Sequence, residues 1–290
     1  MNSFQIKLIA LILMTIDHIG EFLFPQCDLL GYIGRLSAPL FLYILCWSID
    51  YTRNRVRFLA RVYVASVIMD IIWILLSIGG IHTDTYNNVF SIFFIVIAVV
   101  MILENKTLSK ISKTCIILAW QAAAWILVFV VMQDIIANAE YETICLIMHS
   151  LGIVTYSEGG WFWLILGVII YYCKNDNKKL IIGYTGVCVF RQVCVALAVF
   201  PRILYFLEFH IGGIISTIAN AIFYFFYGAE YQMAPIVPHN VYLGDYQWMM
   251  IFSLPIMLLY NNRQGRKTKY LFYIYYIVHI VLLCMLSNIM

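Results

Sequence analysis

Long apolar runs separated by short polar loops recur along the whole chain. At ~1.5 Å per helical residue, most runs approach the length needed to cross a ~30 Å hydrocarbon slab. The windows fall near 5–24, 33–50, 58–79, 88–103, 114–133, 160–173, 179–200, 210–228, 245–260 and 270–288, with a weaker stretch at 143–155. The pattern predicts an all-α fold, a polytopic membrane helical bundle of about 10–11 transmembrane helices. No hydrophilic segment is long enough to build a core of its own, so residues 1–290 are expected to form a single transmembrane domain. The first window is expected to be a span and not a cleavable signal, because it carries Asp17, His18 and Glu21 and no small-residue cleavage pattern follows it.

Loop charge orients these spans. The loops with Arg53, Arg55 and Arg57, with Lys106, Lys110 and Lys113, and with Arg263, Arg266, Lys267 and Lys269 are predicted to be cytoplasmic, and Lys7 places the N-terminus with them. Segments around Asp28, around His82 and Asp84, and around Asp134, Glu140 and Glu142 then face outward. The second half conflicts with itself, since Lys174, Lys178 and Lys179 also belong inside by charge. Two resolutions exist: 143–155 is an eleventh span and Lys174 faces out, or a later segment is re-entrant. The expectation is eleven spans.

Composition agrees with a membrane protein: 290 residues, 63% hydrophobic and only 11% charged, with a mean hydropathy of +0.89. The net charge of +3 is carried in short loops, so nucleic acid is not an expected partner and membrane lipid is. Eight cysteines show no metal-ligand spacing and no metal is expected; Cys27 and Cys145 alone suggest an exposed pair.

Ionisable groups inside apolar windows are costly and point to function. Counting from Gln5, His18 lies ~20 Å into the slab, too deep to reach either interface easily. Thr15, His18 and Glu21 are three residues apart and Asp17 is four from Glu21, which puts this polar set on one side of a helix facing the bundle interior. A carboxylate beside an imidazole can orient and polarise a base. Asp70, Arg191 and His279 fall near the centres of other windows, and Arg191 is expected to pair with Asp70 or Asp17. For Gln121, Gln192, Asn220 and His149, interhelical hydrogen bonding is the sufficient explanation.

Arg53, Arg55 and Arg57, with Arg61 one turn on, serve as a topology determinant and also offer closely spaced guanidiniums to a phosphorylated ligand. Gly34-Arg35-Leu36-Ser37-Ala38-Pro39 suggests an interrupted helix start whose freed amides could hold an anion. The run Tyr270-Leu271-Phe272-Tyr273-Ile274-Tyr275-Tyr276 reads either as an interfacial belt or as the wall of a cofactor slot leading to His279.

Thr15-Ile16-Asp17-His18-Ile19-Gly20, Gly34 through Phe41, Tyr51-Thr52-Arg53-Asn54-Arg55, Asn88-Val89-Phe90-Ser91, Tyr260 through Gly265 and Lys269 through Tyr276 with His279, taken in order, resemble the TraX family. That family is associated with N-terminal acetylation of conjugative pilin and looks related to transmembrane acyltransferases that use cytosolic acetyl-CoA. Two positions depart from its pattern: Ile277, where proline is usual, and Asn262, where glycine follows Tyr-Asn. The resemblance implies a bacterial inner-membrane acyltransferase with an acetyl-CoA donor, and the cluster of Arg53, Arg55, Arg57 and Arg61 is expected to hold that donor's phosphates. His18 is implied to be the catalytic base, oriented by Asp17 or Glu21, with Arg35, Arg191 or His279 stabilising the oxyanion. The acceptor is an exported peptide such as a pilin N-terminus, a glycan or a lipid. A proton-coupled transporter with a mid-membrane Asp/His/Arg site is the alternative class.

Overall fold

The computed structural model describes residues 1–81, 86–197, 199–210, 215, 217, 219, 246–266, 268 and 270–289. Asn2 starts the first helix with a reciprocal cap: its side chain accepts from the Gln5 amide while the Gln5 side chain accepts from the Asn2 amide, 2.9 Å each. Helix α1 then runs Ser3–Leu23. After a short turn come α2 (Asp28–Gly34) and α3 (Ser37–Tyr51), nearly collinear across Arg35 and Leu36. Asn54 caps α4 (Arg55–Ile78) by accepting from the Arg57 amide. The chain continues as α5 (Val89–Leu103), α6 (Lys110–Ile126, prolonged by a wide turn over Leu127–Val131), α7 (Gln133–Asn138), α8 (Tyr141–Leu151), α9 (Gly160–Cys173), α10 (Asn177–Ala196) and α11 (Val199–His210). A 3₁₀ stretch, Tyr246–Ser253, leads into α12 (Leu254–Leu258), and α13 spans Leu271–Ser287.

Among the described residues there is no strand, and four helical stretches are long and apolar enough to cross a membrane: Asp28–Tyr51, Arg55–Ile78, Lys110–Val131 and Asn177–Ala196. Shorter apolar helices accompany them at Val89–Leu103, Gly160–Cys173, Gln247–Leu258 and Leu271–Ser287. The all-helical membrane bundle read from the sequence is the architecture observed. Helix α5 is apolar on every face and lies in the core, with Ile95, Val96, Ile97 and Val100 fully buried. Leu75 and Ile78 on α4, Val130 and Val131 beyond α6, and Ile182 and Phe190 on α10 point outward, as a lipid-facing surface requires. Of the expected span 210–228, all but residues 210, 215, 217 and 219 lie outside the described residues, Asn220 among them, as do His82, Asp84, Lys267 and Lys269.

The basic loops gather at one end. The Ser3 and Phe4 amides donate to the carbonyls of Arg263 and Gln264, and Tyr51 donates to the Asn262 carbonyl. Asp50 then joins Arg55 (3.2 Å) and Lys174 (2.8 Å), so the Lys174 turn shares the end of the Arg53 and Arg263 loops. Asn262 itself has φ 58°, a left-handed conformation that Asn tolerates better than most residues.

This geometry corrects the eleventh span and the outward Lys174. Helix α8 has 11 residues, ~16 Å of rise, and stops well short of a ~30 Å slab. It enters from the end opposite the basic loops and breaks at Gly152, after which α9 carries the chain to the basic end. Broken backbone at this depth is tolerated only when its freed groups find partners, and α6 supplies them. Trp120 donates to the Leu151 carbonyl (2.9 Å), and Gln121 both donates to the Gly152 carbonyl (2.9 Å) and accepts from the Val154 amide (3.0 Å). The cysteines are all free, with Cys27 exposed and Cys145 buried, so the suggested exposed pair does not exist.

Gly152 has φ 67°, and a Cβ there would lie 2.5 Å from the Trp120 ring. Gly152→Ala is expected to cost about 1–3 kcal/mol through left-handed strain and overpacking, read as a lowered melting temperature in detergent. An unchanged melting temperature would show that the break is not held as described.

Candidate functional site

His18 is the sixteenth residue of α1, ~22 Å along it, and its face of the helix meets α13. Its Nδ1 lies 2.7 Å from Nε2 of His279, 261 residues away in sequence, with the two rings stacked at 5.0 Å. The other nitrogen of His279, Nδ1, lies 2.8 Å from the Tyr275 carbonyl. A carbonyl only accepts, so Nδ1 of His279 carries a proton. In the uncharged pair, Nε2 of His279 therefore accepts from Nδ1–H of His18, and the lone pair of His18 sits on Nε2. That nitrogen faces the Glu21 carboxylate at 3.9 Å. The pair is braced by Tyr275, whose ring stacks on His279 (5.1 Å) and whose hydroxyl meets Thr15 Oγ1 at 2.8 Å.

Asp17, adjacent to His18, points elsewhere because successive helical residues turn by ~100°. Its carboxylate faces the α2–α3 junction and meets Arg35 at 3.8 Å. Gly34 permits this: a Cβ there would fall 2.2 Å from the Asp17 carboxylate. Glu21 accepts from Asn87 (2.7 Å), and Glu158, in the turn before α9, feels the charges of Glu21, Arg35 and Asp17. Asp17, Glu21 and Arg35 are partly exposed, while His18 and His279 are buried. The orienting contact on His18 thus comes from His279, with Glu21 next and Asp17 turned away toward Arg35.

Asp70 was expected to meet Arg191 and instead meets His149 at 2.9 Å; Asn88 donates to the same Asp70 oxygen at 2.7 Å and to the Ser66 carbonyl at 3.1 Å. His149 also reaches the Tyr156 carbonyl at 3.0 Å. This network ties α4, α8 and the start of α5 together, the ordinary role expected of His149. Arg191 stands on α10 with its guanidinium 5.4 Å from the Phe162 ring centre.

A cavity of about 500 Å³ opens at the basic end. Ser3, Lys7, Thr52, Arg61, Gln264 and Arg266 lie toward its mouth, and Met14, Val89, Phe90 and Tyr276 toward its inner end, ~16 Å along α1 from Ser3. His18 follows Met14 by one turn on the same helix face. Phe272, Tyr273 and Tyr276 line the cavity, while Tyr270, Leu271 and Ile274 of the same run face outward. Of the four arginines expected at the donor, Arg61 lines this cavity; Arg55 is engaged by Asp50, and Arg53 and Arg57 are exposed and outside the lining. Lys7, Arg266 and Asn87 escaped the sequence reading as site residues, and Tyr276 entered it only as one member of the aromatic run. Lys7 lies in an apolar window three residues from Phe4, a signal read only as topology.

The family described as TraX protein matches residues 3–229 of the chain. A stretch of 52 residues, 18% of this chain, is 36% identical to an uncharacterized protein, RP591, of Rickettsia prowazekii (strain Madrid E). The alignment spans about a fifth (21%) of that relative's length. No solved structure matches the chain.

Nitrogen NMR of histidine-labelled protein in nanodiscs tests the tautomers. His18 and His279 are both expected in the Nδ1–H form, and His279→Ala is expected to release His18 to the commoner Nε2–H form. An Nε2–H signal for His18 in the wild type contradicts the assignment.

Proposed function

We propose that this chain, which belongs to the TraX family, is a membrane-embedded acyltransferase that moves an acetyl group from acetyl-CoA to an amine or hydroxyl acceptor. One observation carries the reading: a hydrogen-bonded histidine pair lies just behind the inner end of a deep cavity whose mouth is cationic. The positive-inside rule turns that mouth to the cytosol of a bacterial inner membrane, where acetyl-CoA is found.

The cavity suits such a donor. Lys7, Arg61 and Arg266 present three cations to its phosphates, and the Arg61 Nε is buried with no hydrogen-bond partner among the described residues, as a group awaiting an anion would be. The apolar walls beyond accept the slender pantetheine arm and bring the thioester toward Tyr276. The acceptor arrives from the opposite end, past Arg35, Glu21 and Glu158. As its nitrogen or oxygen attacks, the His18 Nε2 lone pair takes its proton, and His279 holds the imidazole in the tautomer that leaves this lone pair free. An exported peptide, a glycan or a lipid remains in range as acceptor. The transporter alternative is not favoured, since membership of this family points to acetyl transfer and not to transport.

The reading is tested with labelled acetyl-CoA and purified protein in nanodiscs. Wild type is expected to bind and turn over the donor, and His18→Ala to keep binding while losing about 10²-fold or more in turnover. Undiminished turnover in that variant removes His18 from the chemistry. Lys7→Ala combined with Arg61→Ala is expected to weaken donor binding about tenfold or more, and Arg53→Ala with Arg57→Ala to leave it nearly unchanged. The reverse ranking would move the donor out of the cavity.

A further inference from the structure

We infer that Tyr276 is a catalytic residue of this site, its phenolic hydroxyl donating to the thioester carbonyl oxygen as negative charge develops there. The inference rests on the acyl-transfer reading and gives a chemical role to a hydroxyl that the sequence placed only in an aromatic wall. Tyr276 is buried, lines the inner end of the cavity, and stands edge-on to His18 (6.2 Å between ring centres) and His279 (5.7 Å). Its ring is therefore the partition between the donor cavity and the base. A carbonyl delivered to the cavity end for attack beside His18 meets this side chain first.

The hydroxyl is poised to donate. The Val89 amide donates to Tyr276 Oη at 3.2 Å, which occupies one oxygen lone pair. Among the described residues no acceptor takes the hydroxyl's own proton. A buried donor left without an acceptor costs about 1–3 kcal/mol, so a ligand oxygen placed there gains what the protein withholds. Val89 is also the first residue of the 15-residue helix α5, whose positive dipole end polarises the phenol toward donation. The start of α5 is fixed by the Asn88, Asp70 and His149 network, so this donor does not have to reorganise when charge appears.

The step balances as follows. The acceptor lone pair forms a bond to the carbonyl carbon, and the carbonyl π pair moves to oxygen, which accepts the Tyr276 hydrogen bond. His18 Nε2 takes the acceptor's proton. When the tetrahedral intermediate collapses, the C–S bond breaks and the proton on His18 passes to the departing CoA sulfur. Tyr276 keeps its own proton throughout.

The test compares wild type, Tyr276→Phe and protein with 3-fluorotyrosine at 276, each in nanodiscs, for acetyl-CoA affinity, melting temperature and rate of CoA release. Phenylalanine keeps the ring packing, so Kd is expected to stay within about twofold while kcat falls about 10²-fold. Fluorotyrosine keeps both ring and hydroxyl but donates more strongly, and a changed kcat at unchanged Kd is expected. An active wild type with an equally active phenylalanine variant, or a loss confined to Kd, overturns the role of Tyr276 and leaves the acyltransferase reading standing. A fluorotyrosine protein with wild-type kcat also overturns it, even if the phenylalanine variant is unstable. A wild type that binds acetyl-CoA and releases no CoA overturns the acyltransferase reading itself.

Discussion

A buried imidazole carries an N–H, and at membrane depth that donor needs an acceptor that the protein must supply, because lipid offers none. That constraint shapes this molecule. His18 on α1 meets it by reaching His279 on α13, far along the sequence, and the Tyr275 carbonyl closes the ladder on the far side. Once the proton positions are fixed by that carbonyl, a single lone pair is left over, on His18 Nε2. The chemistry proposed here is what one unspent lone pair, facing partly exposed carboxylates, is fit to do.

The same constraint is met at two other places in the polar interior. His149 and Asn88 both bond one oxygen of Asp70 where three helices converge, and Gln121 satisfies a break in the backbone at Gly152. Both devices serve the site indirectly. The first anchors the start of α5, whose Val89 amide touches Tyr276; the second lets α8 stop midway so that His149 can enter the network. Neither places a charge in the cavity, which keeps its inner walls apolar and its cations near the mouth.

Much of this was legible in the residues. Apolar windows predicted the bundle, and the cost of burying His18 and His279 marked them before any contact was known. The aromatic run near His279 allowed two readings, and packing divides it, with Phe272, Tyr273 and Tyr276 on the cavity and Tyr270, Leu271 and Ile274 facing outward. Pairing was not legible: nothing in the spacing of Asp70 says that His149 and not Arg191 will face it, because helix rotation and the α8 break are set by packing. The Arg53 cluster drew attention by its density, yet Asp50 holds Arg55 and the other two remain exposed, while isolated Lys7 and Arg266 line the cavity. Charge near a loop reports topology first; which cations converge on a ligand depends on where the helices open.

The most direct test is a cryo-electron microscopy structure of the chain in nanodiscs with a non-hydrolysable thioether analogue of acetyl-CoA. The account predicts phosphates against Lys7, Arg61 and Arg266, the arm inside the cavity, and the acetyl-bearing end beside Tyr276 on the approach to His18. An analogue bound elsewhere, or a histidine pair sealed from the acetyl group, would contradict it.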